Sequence, residues 1–445
     1  MFESLRKTFT GGAHPKEEKE LTQHLPFEVM PVTKQIILPL SQHIGKPAKA
    51  LVAKGAVVKA GQVIAEAQGF ISSPIYATAS GNVTKITTSA TVSGTPKESL
   101  LITTNEDTDV ELLTPLSFET VTADEIKQRV KDAGIVGQGG AAFPTFVKLS
   151  PPEGKRVDMV VINGAECEPY LTRDYRFMME RTEDVLRGLT LIMRAVGVTR
   201  GAIGIEDNKP DAIKALQSVV GRYPGITIEA LPTKYPQGAE KMLIYSITKR
   251  VVPAGGLPMD VGVVVQNIGT AIAVLDAVVK GEPVLTAALT VTGRGIRTPR
   301  NLIVKIGTPI IEVINYCGGL TDDAVKVIVG GPMMGVAQYD LNAPVMKATS
   351  GIVVLAKGEA EKLEEYPCVR CGKCVDVCPL FLMPTKIASY SQLGRPEDAE
   401  KLGVMVCMEC GTCAFSCPSG IPLVQWIKRG KKEVLKLQRE RQSGN

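Results

Sequence analysis

Eight of the ten cysteines in this 445-residue chain crowd between Cys368 and Cys417, in two settings of identical spacing. Cys368, Cys371, Cys374 and Cys378-Pro379 spell C-x2-C-x2-C-x3-C-P; Cys407, Cys410, Cys413 and Cys417-Pro418 spell it again 39 positions later. Three thiolates on one tight loop can wrap three irons of a cubane, and the fourth, set back by one extra residue, reaches a second cluster. The spacing therefore predicts two 4Fe–4S clusters with crossed ligation. One uses Cys368, Cys371, Cys374 and Cys417; the other uses Cys378, Cys407, Cys410 and Cys413. Paired zinc ribbons would use two ligand pairs each and have no need of a repeated fourth cysteine followed by proline. Two such clusters make a wire for single electrons. The interval between the half-motifs leaves room for one extra helix.

A second group of residues could bind what feeds that wire. Gly137-Gln138-Gly139-Gly140 opens a glycine-rich loop running to Thr145, and glycines let backbone amides come close to phosphate oxygens. Downstream, Val161 to Pro169 sets Asn163, Glu166 and Glu168 at the end of an apolar run, where ligands bind in open α/β sheets. The three histidines, His14, His24 and His43, all lie in the first tenth of the chain. A multi-histidine metal site or a histidine-based triad in the body of the protein is excluded. Cys167 and Cys317 read as small buried residues.

These groups need scaffolds, and the texture of the chain changes to supply them. The polar residues 1–25 read as an arm. From 26 to 110, short runs such as IILPL and SLLITT, broken by Gly and Pro, predict a small β barrel-sandwich. The phrase VKAGQVIAEAQGFISSPIYATASGNV resembles the biotinyl/lipoyl hammerhead. Its tip, Gln68–Ser73, has no lysine to carry a group, so the barrel reads as a module that docks against its neighbours. Residues 120–255 alternate strand and helix patterns, with RVDMVVIN and GAIGIEDN as strands and KPDAIKALQSVV as a helix. That alternation predicts a largely parallel sheet. A smaller domain of βα and strand-like runs occupies 256–355, the cluster region 356–425, and a basic tail 426–445. Val261–Val279 is apolar but interrupted by Gln266, Asn267, Thr270 and Asp276, which suits a buried strand, turn and helix better than a membrane span. The N-terminus has no apolar stretch of a secretory signal, so the expected setting is soluble and cytoplasmic. A net charge of +5 is too mild to imply nucleic-acid binding.

The segments GQGGAAFPT, NGAECEPYLTRD, KYPQGAEKML and VVQNIGTA follow one another as in the flavin subunit of NADH:quinone oxidoreductase, respiratory complex I. With the N-terminal GGAHP, the barrel and the duplicated cysteine motif, the chain resembles over nearly its whole length the family of C subunits of Rnf electron-transport complexes. Those complexes couple electron exchange between ferredoxin and NAD to ion movement across the bacterial membrane.

The resemblance implies a multidomain α/β and α+β protein. Its parts would be a hammerhead-like barrel, a Rossmann-like FMN/NADH domain, a small β-grasp-like domain and a helical two-cluster ferredoxin-like domain. It implies FMN as cofactor and NAD(H) as substrate. Gly137, Gly139 and Gly140 would cradle the FMN phosphate, and Phe143 would lie at the nicotinamide-stacking position. Asn163 and Glu166 would hydrogen-bond the flavin, and Glu168 would sit near NADH. Tyr235, Gly238 and Glu240 match the next flavin-contacting stretch, and Asn267 with Thr270 the last. Glu166 and Phe143 are thus the candidates for the hydride step. Departures from the complex I pattern are Gln138 for an arginine, Ala165 for an aspartate, and Ala239-Glu240 for paired glutamates. The implied partners are a ferredoxin-type iron–sulfur subunit and integral membrane subunits, with the chain peripheral on the cytoplasmic face. Soluble cobalamin reductases share the flavin and cluster modules but lack the GGAHP arm and barrel in this order. Flavin subunits of soluble NADH-linked hydrogenases or formate dehydrogenases carry one cluster motif here, not a duplicated pair.

Overall fold

The apolar runs MVVIN, GAIGIE and VVVQN become neighbouring strands of a four-stranded sheet, as continuous apolar runs do when both faces are covered. The computed structural model describes residues 7–360 and 364–443. The sheet order is Ile226–Leu231, Gly201–Glu206, Met159–Asn163, Val263–Asn267, and all pairings are parallel. The helices Thr182–Val196 and Ile268–Val279 bring Leu186, Leu189, Val274 and Leu275 into one core with Val160, Ile162 and Val264. The helix Glu240–Thr248 covers the opposite face, packing Leu243 and Ile244 against Val161, Val263 and Val265.

The order matters for function. From Met159–Asn163 the chain steps outward through the next two strands, then returns to the other side of the first with Val263–Asn267. The direction of winding therefore reverses between these two strands, and a crevice opens at their carboxyl ends. Asn163 and Asn267, the last residues of each, are register partners across that gap.

The barrel consists of an antiparallel sheet ordered Gln35–Pro39, Lys97–Thr104, Gly81–Ser89, Val57–Val58, closed by a three-stranded one. Ile36, Leu38, Ile64, Val83, Leu100 and Ile102 are fully buried between them. At the lysine-free tip, Ser72 Oγ donates to the Lys46 carbonyl at 2.9 Å, and Phe70 meets Phe146 edge-on at 5.6 Å. The tip docks against the flanking α/β domain.

A mixed six-stranded sheet forms the next layer, ordered Phe27–Val29, Arg300–Lys305, Thr286–Thr292, Gly351–Ala356, Ala324–Val329, Val336–Ala337. Residues 27–29, at the start of the stretch read as barrel, add to its edge in parallel with Asn301–Ile303. Phe27 anchors them on Phe177 with ring centroids 4.8 Å apart.

The cysteine region repeats its backbone as well as its sequence. Arg370 and Glu409 both take positive φ, as do Gly372 and Gly411, and Phe381 and Gly420; each pair lies 39 positions apart. The short helices Lys373–Asp376 and Thr412–Phe415 obey the same offset. Two helices, Pro384–Gln392 and Pro396–Lys401, fill the interval where the sequence suggests one. The basic tail belongs to the helix Leu423–Ser443, which buries Leu423, Val424, Ile427 and Val434 against Ile387, Ala388 and Ala399.

Candidate functional site

The glycine-rich loop sits over the crevice at the sheet's switch point. Its neck is closed by the Gly137 amide donating to the Phe143 carbonyl at 2.8 Å. The Gln138 amide donates to Thr270 Oγ1 at 3.0 Å, which fixes the loop to the first turn of the helix Ile268–Val279. At the turn, Gly139 has φ +84, and an added Cβ would lie 3.0 Å from Asn267 Nδ2, so only glycine fits without strain. The amides of Gly139, Gly140 and Ala141 donate to no group among the described residues. Thr145 Oγ1, fully buried just beyond the loop, also has no partner among them. Unpaired amides over a helix N-terminus suit a phosphate, so the residues present fit FMN.

Asn267 ties this loop to the acidic one. Its Nδ2 donates to Asp174 Oδ2 at 2.6 Å, while its Oδ1 accepts from Arg173 Nη2 at 2.9 Å and from the Gly269 amide at 2.8 Å. Arg173 and Asp174 are themselves a buried ion pair at 2.6 Å. Glu166 Oε1 accepts from the Asp174 amide at 2.6 Å, so its carboxylate caps the helix Arg173–Glu180. Asn163 Nδ2 donates to the Gly238 carbonyl at 2.7 Å, and the Gly238 amide donates to Cys167 Sγ at 3.3 Å. Glu240 pairs with Lys148 at 2.8 Å, and Lys148 Nζ also donates to the Val265 carbonyl at 3.2 Å.

The structure thus gathers Gly137, Gly139, Gly140, Phe143, Asn163, Glu166, Gly238, Glu240, Asn267 and Thr270 around one crevice. Tyr235 reaches the cluster domain instead, and Glu168 the Gly330–Gly335 loop that lies against it. Glu168 accepts from the amides of Met333 and Met334 at 3.0 and 2.9 Å, and Tyr235 Oη donates to the Cys410 carbonyl at 2.6 Å. Gly331 touches Glu168 so closely that a Cβ there would fall 2.2 Å from Oε2.

Sequence reasoning passed over three contributors: Lys148, the Arg173–Asp174 pair and the Gly330–Gly335 loop. The first had a local signal, since a lysine on the helix after a glycine-rich loop faces the phosphate region. Arg173 and Asp174 close the NGAECEPYLTRD segment itself, and only the Gly330–Gly335 loop is brought in from a distant one.

Burial pushes the carboxyls of Glu166 and Glu168 up to about 7. An unfolded Glu titrates near 4.3, so between about pH 4.5 and 7 the folded protein holds protons that the unfolded chain has released. Stability is therefore expected to fall as pH rises from about 4.5 to 7 and to level off above that, by at most about 4 kcal/mol per carboxyl. Glu168→Gln should flatten the fall in thermal midpoint between about pH 5.5 and 8. An unchanged slope would mean that Glu168 is already ionised at the lower pH.

In the cysteine region, Cys378, Cys407, Cys410 and Cys413 line one cavity with Leu382, Ile387, Val424 and Ile427. Among the described residues no three ligand-type side chains converge as a single ion requires. Thiols standing around a space fit a multi-iron cluster better than one tetrahedral zinc. Burial pushes the Cys407 thiol up to about 11 and raises Cys410 and Cys413 as well. These thiolates therefore need bound metal to form at neutral pH. Cys368 and Cys371 are exposed, while Cys374 and Cys417 both pack at the edge of the helical core. Gly411 abuts the Met333 carbonyl, so the inner four-cysteine cavity is the one nearest the acidic loop.

Four family models match the chain in order: an RnfC Barrel sandwich hybrid domain over 7–107, a Nuo51 FMN-binding domain over 130–276, an SLBB domain over 289–337 and a 4Fe-4S dicluster domain over 367–422. Fold and site together define a flavin- and iron–sulfur-binding electron-transfer protein. The chain is 44% identical over 390 residues to the C subunit of the proton-translocating ferredoxin:NAD(+) oxidoreductase complex of Clostridium ljungdahlii, covering 87% of this chain and 85% of the relative. It is 47% identical to the C subunit of the Na(+)-translocating ferredoxin:NAD(+) oxidoreductase complex of Acetobacterium woodii, covering 86% and 87%. The chain belongs to the family of C subunits of Rnf-type ion-translocating oxidoreductase complexes. A chain of an NAD+-reducing NiFe-hydrogenase in the air-oxidized state shares the fold at TM-score 0.50 and 20% identity, over 72% of this chain and 62% of that one.

Proposed function

We propose that the chain is the flavin and iron–sulfur subunit through which a ferredoxin:NAD oxidoreductase complex exchanges electrons with NAD(H). The hammerhead-like barrel, Rossmann-like flavin domain, β-grasp-like domain and ferredoxin-like cluster domain then correspond to about 30–110, 120–280, 281–355 and 356–425, with an arm before and a basic tail after; the break expected at 255 moves because Val263–Asn267 and Ile268–Val279 complete the flavin domain, and residues 27–29 leave the barrel for the neighbouring sheet. Bound at the crevice, FMN supplies two-electron exchange with NADH and one-electron exchange with iron–sulfur centres. The free loop amides of Gly139 and Gly140, with Lys148, hold the phosphate, while the Gly137 amide, bound to the Phe143 carbonyl, closes the neck of the loop. Asn163, Glu166, Gly238, Glu240, Asn267 and Thr270 hold and orient the ring system, with Phe143 on the nicotinamide side. No side chain is required as general acid or base.

The observation that carries the reading is the contact between the two halves: Tyr235 donates to the Cys410 carbonyl, and Glu168 accepts from the amides of Met333 and Met334 in the loop whose Met333 carbonyl abuts Gly411. It supports the cavity of Cys378, Cys407, Cys410 and Cys413 as the inner station and the outer set of Cys368, Cys371, Cys374 and Cys417, of which the first two are exposed, as the exit. Cys410→Ser tests this order. FMN should stay bound and NADH should still reduce a small flavin-reactive acceptor within about twofold of the parent rate, while NADH no longer reduces the outer cluster. Outer-cluster reduction at the parental rate would contradict the order.

Partners are other subunits of the complex, a ferredoxin-type iron–sulfur subunit and integral membrane subunits among them. No helix among the described residues is long and apolar enough to cross a membrane. The reading puts the chain peripherally on the cytoplasmic face, so high salt or a chaotrope should release it from membranes without detergent. Release by detergent alone would contradict it.

A further inference from the structure

Lys19 lies in the N-terminal arm, before the barrel, yet its side chain is buried beneath the acidic loop some 150 residues away. Its Nζ donates to the carbonyls of Glu166, Glu168 and Leu171 at 2.9, 2.9 and 2.6 Å. All three ammonium protons are thereby used on one loop. Lys209 Nζ adds a bond to the Ala165 carbonyl at 2.7 Å. Two buried cations therefore hold four carbonyls between Ala165 and Leu171.

In a planar trans peptide, the N–H points opposite to the preceding carbonyl. Carbonyls of Ala165 and Glu166 turned toward the lysines send the amides of Glu166 and Cys167 the other way. Neither amide has an acceptor among the described residues. Glu166 is also held at φ +48, a left-handed conformation that costs a non-glycine residue roughly 1 kcal/mol. Successive amides around such a residue form a concavity that receives electron-rich oxygen. Burial of an ammonium is costly, and the charge-assisted bonds to the loop offset it.

We propose that Lys19 is a positioning residue for the flavin: it fixes the acidic loop with its free amides toward the flavin's polar edge and places a buried positive charge behind them. The inference rests on the crevice being the flavin site. Lys209 supports the same loop at one carbonyl and contributes less.

The test uses the full chain with both clusters assembled and FMN removed, titrated with FMN by fluorescence quenching. Lys19→Met should raise the FMN dissociation constant about tenfold to a hundredfold, from the loss of three bonds to a charged donor. Lys19→Gln keeps a donor but no charge and should weaken binding less. Both should shift the bound flavin's two-electron midpoint potential to more negative values, because the reduced flavin carries the greater negative charge. Lys209→Met should fall between parent and Lys19→Met. Lys16→Met, on the same arm but exposed and ion-paired to Glu18, should match the parent. Unchanged iron and sulfide per chain shows that a variant is folded; should Lys19→Met not fold, Lys19→Gln and Lys209→Met decide. Parental affinity and potential in the folded lysine variants would overturn the role of Lys19 while leaving the flavin site standing. Failure of the parent chain to bind FMN would instead overturn the site.

Discussion

Replacing Cys417 by serine is expected to abolish the cluster of Cys368, Cys371 and Cys374, whose sequence lies some forty residues upstream, and to spare the cluster beside it. Iron and sulfide should fall by about half. The reason is geometric. Cys378, from the first motif, lines the same cavity as Cys407, Cys410 and Cys413, so the inner site has its four thiolates without Cys417. Cys417 and Cys374 each pack at the edge of the helical core and neither lines that cavity, so Cys417 is left to complete the outer set. Cys378→Ser should do the reverse and remove the inner cluster. Loss of the inner cluster's signature in Cys417→Ser would show that ligation does not cross.

Gly139→Val should abolish FMN retention, with affinity falling by roughly a hundredfold or more, and leave both clusters intact. Gly139 holds φ +84, which costs a non-glycine residue about 1–2 kcal/mol before any contact is counted. Its Cβ would stand 3.0 Å from Asn267 Nδ2 and 3.3 Å from Arg173 Nη2, so the branched side chain must push the loop off the helix beneath it or break the Asn267–Asp174 link. Gly140→Ala is the contrast: its methyl would meet nothing within 4 Å, and only packing of a bound phosphate could oppose it. A milder loss is expected there. Equal retention of FMN in Gly139→Val and the parent would remove the loop from the site.

Local geometry was legible in the sequence wherever the motif itself builds it. The duplicated C-x2-C-x2-C-x3-C-P carries its left-handed residues with it, so Arg370 and Glu409 adopt the same backbone from the same pattern. VVIN and VVVQN announce buried parallel strands by their continuous apolar character, and the polar breaks in Val261–Val279 mark the strand, turn and helix that form there. What the sequence left unread depends on segments that meet only in three dimensions. Lys19 looks like one more charge in a polar arm, because nothing near it in sequence shows the carbonyls it will face. The loop that braces Glu168 comes from another domain, so GGPMMG reads only as the end of a strand-like run. Residues 27–29 have the composition of a barrel strand, and only the contact with Phe177 assigns them to the neighbouring sheet.

The measurement that bears most directly on the account is NADH oxidation by the purified chain under anaerobic conditions with an artificial one-electron acceptor. It compares the fully loaded chain with the same preparation stripped of FMN and then reloaded. Oxidation is expected from the loaded chain, with loss on stripping and recovery on reloading, and with two electrons reaching the acceptor per NADH. No oxidation from a chain containing FMN and eight irons, or oxidation undiminished after FMN is removed, would contradict it.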